Sequence, residues 1–115
     1  MTSMNPAAVV QKQLDAYNDH DLAAFLATFS EDVVLYRVPA NAPAMVGKQQ
    51  LGEFYRSSRF NLPQLHAQLL HRTVVGNKVV DHELISGLKS EPVEAVAAYV
   101  VSDGLIQGVW LFAAD

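Results

Sequence analysis

The chain has 115 residues, half of them hydrophobic, and a formal net charge of −4, which suits one domain over residues 1–115 that buries a single core without staples. With no cysteine, the sequence excludes disulfides, thiolate metal sites, iron–sulfur clusters and a cysteine nucleophile, and the cytoplasm is the expected location. Eight basic residues spread over the length form no stripe for phosphate contacts, Met1 to Pro6 lacks a basic segment followed by an apolar run, and no later stretch approaches the roughly 20 apolar residues of a membrane span, so neither nucleic acid nor membrane is an expected partner.

Asn5 followed by Pro6 reads as an N-cap with proline at the first helical position, and Val10, Leu14 and Tyr17 then recur at helical spacing as far as Asn18. A second helix follows Asp21, with Leu22, Phe25, Leu26 and Phe29 at positions i, i+3, i+4 and i+7. The β-branched run Val33 to Val38 predicts a strand stopped by Pro39, and Pro39 to Val46 predicts a loop. A third helix over about Lys48 to Ser58 places Leu51, Phe54 and Tyr55 on one face despite Gly52. Four strands then follow: Leu65 to Val75, Lys78 to Ser86, Val93 to Ser102 and Leu105 to Ala113. Gly76-Asn77 and Asp103-Gly104 supply hairpin turns with positive φ. The expected fold class is α+β, in the order ααβαββββ. Strands of about ten residues, roughly 33 Å each, must twist and curl into a cone or half-barrel around the three helices.

An antiparallel sheet wetted on one face alternates apolar and polar residues. Val93 to Val101 and Val109 to Ala113 are instead apolar on both faces. Three short helices cover the concave side only, so the outer face of the last two strands is expected to pack on a second copy of the chain as a two-fold dimer; the competing reading is a twisted end folded over its own sheet.

The order of elements, with the runs Ala8-Val9-Val10-Gln11-Lys12, Asp21-Leu22, Glu53-Phe54-Tyr55 and Asp103-Gly104-Leu105-Ile106, resembles the nuclear transport factor 2-like superfamily over nearly the whole chain. Within it the sequence is most similar to the ketosteroid isomerase and polyketide cyclase-like (SnoaL-like) branch. That resemblance implies an apolar pocket for a small organic ligand inside the cone and dimerisation through the outer sheet. Ketosteroid isomerase uses a helix-one tyrosine and a strand-four aspartic acid as oxyanion donors and a strand-one aspartate as base. The resemblance puts Gln13, Ala97 and Arg37 at those places. Alanine cannot donate a hydrogen bond and arginine cannot accept a proton, so the familiar isomerase mechanism is expected to be absent.

The strand parity implied by the resemblance puts His66, Gln68 and Leu70, then Val79, Asp81, Glu83 and Ile85, then Tyr99, on the concave face, with His82 pointing away. Two carboxylates two residues apart on one strand share a face, and mutual repulsion in a buried site raises at least one pKa toward the range of general acid–base work. Glu83 is the first candidate for the base, Asp81 the second, and Arg37 their counter-charge or a clamp on a substrate oxygen, as in epoxide-opening members of the superfamily that place an arginine between two acids. Gln13, Tyr17, Phe54, His66, Gln68 and Tyr99 complete the candidate ligand-binding set. The competing readings are solvated strand carboxylates paired with Lys78 or Arg72, a surface His66, and tyrosine rings serving as core.

His82-Glu83 begins a zinc-like pattern that fails at Ser86, and no serine-nucleophile elbow, P-loop or dinucleotide glycine fingerprint occurs, so neither metal nor cofactor is expected. These residues and the resemblance imply a cofactor-independent isomerase, cyclase, dehydratase or hydrolase using Glu83 or Asp81 for the proton. The alternatives are a non-catalytic binder of small ligands and a dimeric interaction module presenting Trp110 and Phe112.

Overall fold

The computed structural model describes residues 5–113; the chain start read above for a leader lies, through Met4, outside them. Helix α1 spans Pro6–Asn18. Asn5 caps it in extended backbone, its Oδ1 accepting from the Ala8 N–H at 2.8 Å, and one face buries Val9, Val10, Gln13, Leu14, Ala16 and Tyr17. Helix α2, Leu22–Leu26, is capped by the Asp21 carboxylate on the Ala24 N–H at 3.1 Å. It is shorter than the apolar spacing predicts, because Phe29 starts strand β1, Phe29–Arg37, instead of extending the helix. The Thr28 carbonyl accepts from the Ile106 N–H at 2.8 Å and Phe29 pairs with Ile106, so sheet pairing overrides the local period. Phe29 keeps its contact with Phe25, with ring centroids 4.9 Å apart.

Part of the expected 39–46 loop is also strand. Met45–Val46 form a two-residue β2 against Val34 and Leu35. Helix α3 covers Lys48–Ser58, and strands β3 to β6 cover His66–Val75, Lys78–Ser86, Val93–Ser102 and Leu105–Ala113, close to the ranges read from the sequence. Gly76 (φ 59°), Asp103 (55°) and Gly104 (76°) supply the positive φ expected of the two hairpin turns.

The six strands form one curved, unclosed sheet in the order β2-β1-β6-β5-β4-β3, all antiparallel except β1 against β6. The helices lie against the concave face, where Val9, Val10, Phe25, Leu35, Leu51, Val79 and Ile106 form the fully buried centre. Asn18 fastens α1 to the edge strand β3 by a pair of hydrogen bonds to the Ala67 backbone, at 2.8 and 3.0 Å. Where the chain leaves β4, Gly87 (φ 81°) is obligatory: a Cβ there would stand 2.1 Å from the Gln64 carbonyl oxygen. Among the described residues no helix is long and apolar enough to cross a membrane.

Candidate functional site

A cavity of about 300 Å³ opens between α1, the end of α3 and the concave sheet. Its floor follows from register. Glu83 on β4 pairs with Ala95 on β5, and Asp81 with Ala97, which in turn pairs with Leu111 on β6 beside Arg37 on β1. Two alanines at the centre of a strong sheet leave room where larger side chains would fill the cone. Gln13, Leu14 and Tyr17 form the α1 wall, Tyr55 and Arg59 the α3 wall, and Leu88 and Lys89 the β4–β5 loop wall.

The two neighbouring carboxylates differ. Asp81 is completely buried and is held in a bidentate pair by Arg72, Nε to Oδ1 at 2.7 Å and Nη2 to Oδ2 at 2.9 Å; Arg72 also donates to Gln11 Oε1 at 3.0 Å. Asp81 therefore does not line the cavity and pairs with Arg72 rather than with Arg37. Glu83, 7% exposed, does line it, and among the described residues no hydrogen bond or ion pair engages its carboxylate. Burial, then the nearby Asp81 charge, push Glu83 up to about 7, with Arg72 acting in the opposite direction.

Three phenols share this space. Burial raises the pKa values of Tyr17, Tyr55 and Tyr99, and the Glu83 charge adds to all three. At neutral pH they are protonated donors. Gln13 is 6% exposed, and among the described residues its Oε1 has no hydrogen-bond partner. Arg37 is exposed at the rim, with its guanidinium over the Phe54 ring at 5.2 Å; Arg59 lies over the same ring at 4.8 Å. Phe54 thus supports the rim from outside the cavity wall.

The expected parity of β3 needs correction. His66, Gln68 and Leu70 are exposed, whereas Ala67 and Leu69 face inward opposite Ile85 and Glu83. The register shifts between Leu69 and His71, leaving Leu70 as an extra residue. Beyond that bulge, Arg72 joins the inner face although it has the sequence parity of Gln68. His66 and Gln68 accordingly lie outside the site. Tyr55, Arg59 and Lys89 are cavity residues that the sequence reading missed. Tyr55 was legible from its helical spacing to Leu51, but Arg59 and Lys89 lie at a helix end and in a loop, where no periodicity assigns a face. His82 points away as expected and pairs with Glu94 on the outer surface. Among the described residues no three histidine, aspartate or glutamate side chains converge as a metal site.

Residues 10–109 match the SnoaL-like domain family. No functionally curated protein matches the sequence. Among solved structures, an NTF2-like protein of unknown function from Cytophaga hutchinsonii superposes with a TM-score of 0.81 at 14% identity, covering 97% of this chain and 92% of its own. A candidate ketosteroid isomerase from Kribbella flavida gives 0.82 at 20% identity, covering 96% and 78%. A candidate polyketide cyclase from Sinorhizobium meliloti gives 0.78 at 23% identity, covering 90% and 93%. These likenesses establish the NTF2-like fold, and with the match over most of its length the chain belongs to the SnoaL-like family.

Proposed function

We propose that the protein is a cofactor-independent enzyme acting on a small organic molecule in the cone, with Glu83 as the group that moves the proton. The observation that carries this reading is the Glu83 carboxyl, unpartnered on the wall of a largely apolar cavity and pushed up to about 7 by burial and by Asp81. Near neutral pH such a group is present in both protonation states, so it can take a proton from carbon or water and return it at a neighbouring atom. The phenols of Tyr17, Tyr55 and Tyr99 supply neutral donors for an oxygen that gains negative charge during the step. They stand in for the donors implied at Gln13 and Ala97 by the family resemblance, of which Gln13 retains hydrogen-bonding capacity and Ala97 does not. The reaction class this favours is proton abstraction next to a carbonyl and its relatives among isomerisations, cyclisations and dehydrations.

The test is α-proton exchange in D2O across a panel of small ketones and esters, followed by NMR. Wild-type protein is expected to accelerate exchange for at least one compound, and Glu83→Gln to lose about 10²-fold or more of that rate while keeping affinity for the same compound. Equal accelerated rates in the two proteins remove Glu83 as the base, and no acceleration by either leaves a non-catalytic binder.

The outer face supports a homodimer. Trp110 stacks on Tyr36 with centroids 5.5 Å apart, and Ala98 and Val80 continue that row across β5 and β4, beside Phe112, which is 42% exposed. Sedimentation equilibrium is expected to give twice the chain mass, and a monomer at all concentrations removes this reading.

A further inference from the structure

We infer that the cavity takes a ligand with an anionic end, a carboxylate or a group of like charge, held at the mouth by Arg37, Arg59 and Lys89 while its apolar body lies against Ala97 and Leu111. The inference rests on the enzyme reading only for its use of the same cavity.

The charge distribution carries it. The chain has twelve acidic and eight basic residues, yet among the described residues the cavity is lined by three bases and one acid. Arg37 comes from the end of β1, Arg59 from the cap just past the end of α3, and Lys89 from the β4–β5 loop, so three separate segments bring cations to one opening. Among the described residues none of the three forms an ion pair, whereas Arg72, Arg56 and Lys48 all do. Both guanidinium groups rest against the Phe54 ring, 5.2 and 4.8 Å from its centroid, which holds each near the mouth instead of letting it extend into water. Two positioned, uncompensated guanidinium groups suit bidentate recognition of a planar anion, and a carboxylate is the smallest group that satisfies the fork. Glu83 lies on the floor of the same cavity, so a ligand carboxylate is tolerated at the mouth and repelled next to Glu83, which fixes which end enters first. At ~30 Å³ per water the cavity holds on the order of ten water molecules, which limits the ligand to one or two rings or an equivalent chain.

The experiment compares 2-naphthoate with 2-naphthamide, alike in shape and different in charge, by calorimetry or NMR titration. Slightly acid buffer keeps Glu83 neutral and the naphthoate ionised. Naphthoate is expected to bind about tenfold or more tightly at low ionic strength. The double variant R37Q/R59Q is expected to remove most of that preference, weakening naphthoate far more than naphthamide and leaving the share of Lys89, and R37K/R59K to retain more of it. A cavity-filling A97L variant is expected to weaken both probes. Equal affinity of the two probes for wild-type protein overturns the anion preference and leaves the cavity reading standing. Naphthoate binding that survives A97L also overturns it, because the anion then sits on the surface. If neither probe binds, both the anion site and the small-ligand cavity fall, whereas loss of exchange activity in Glu83→Gln with intact naphthoate selectivity separates the two in the other direction.

Discussion

Asp81 and Glu83 stand two residues apart on one face of β4, both buried, and meet opposite fates. Asp81 lies across from Arg72 and Glu83 across from Leu69. The β5 neighbours do not separate them, since Ala97 and Ala95 are equally small. The closed end of the cone thus contains a satisfied ion pair, and the open end a carboxyl with space in front of it. Sharing a face is therefore a weak guide to shared chemistry. What decides is the side chain delivered by the adjacent strand, an arginine opposite Asp81 and a leucine opposite Glu83.

The largest effect is expected from breaking the closed end. Arg72→Ala leaves a fully buried carboxylate without its bidentate partner and is expected to cost about 3–5 kcal/mol in urea unfolding at neutral pH. The double variant R72M/D81L, which removes both charges, is expected to recover most of that loss. If Arg72→Ala costs under about 1 kcal/mol, Asp81 does not depend on its partner and the contrast between the two ends fails.

Glu83 gives the opposite sign. A carboxyl with an ordinary value of 4.5 that is held at about 7 in the folded chain binds its proton more tightly folded than unfolded. Its contribution to stability is full below 4.5, falls between 4.5 and about 7, and is absent above. Glu83→Gln is expected to remove that decline and to exceed the wild type by about 3 kcal/mol at alkaline pH, with little difference in acid. Parallel stability curves for the two proteins across this window contradict a raised Glu83.

The sequence disclosed the elements far better than the faces. The ranges of α3, β4, β5 and β6 follow from apolar runs bounded by glycine, proline and asparagine, whose backbone preferences are local. The start of β1 depends on Ile106, far along the chain, β2 depends on β1 across the proline-rich loop, and Phe29 satisfies a helical period while serving a strand. On β3 the parity is lost because Leu70 is an ordinary apolar residue, and neither glycine nor proline marks the bulge. The Arg72–Asp81 pair stood among the competing readings, there with a solvated carboxylate, and the carboxylate is instead fully buried. Counting outward from the Gly76-Asn77 turn pairs Val75 with Lys78 and, three steps on, Arg72 with Asp81, and the bulge lies beyond that point. Glu83 and Tyr99 were legible as concave-face residues because β4 and β5 pair with each other without a shift, whereas His66 and Gln68 were misplaced by the bulge within β3.

The finest discrimination concerns which feature of the open end keeps Glu83 raised, burial or the missing partner. Leu69 occupies, opposite Glu83, the place that Arg72 occupies opposite Asp81, and it is half-buried at the edge of the core. Leu69→Arg gives Glu83 a guanidinium across the same pair of strands. An opposite charge at that range lowers a carboxyl by about 1–3 pH units, against the upward push of burial. The midpoint of Glu83, followed by NMR of its carboxyl carbon, is therefore expected to fall from about 7 toward the ordinary range. The exchange rate at neutral pH is expected to drop with it, since a paired carboxylate is a weaker base. A midpoint that remains near 7 assigns the shift to burial and the Asp81 charge, and the contrast between the two ends of the strand then lies in the depth of the cavity instead of in the residue opposite.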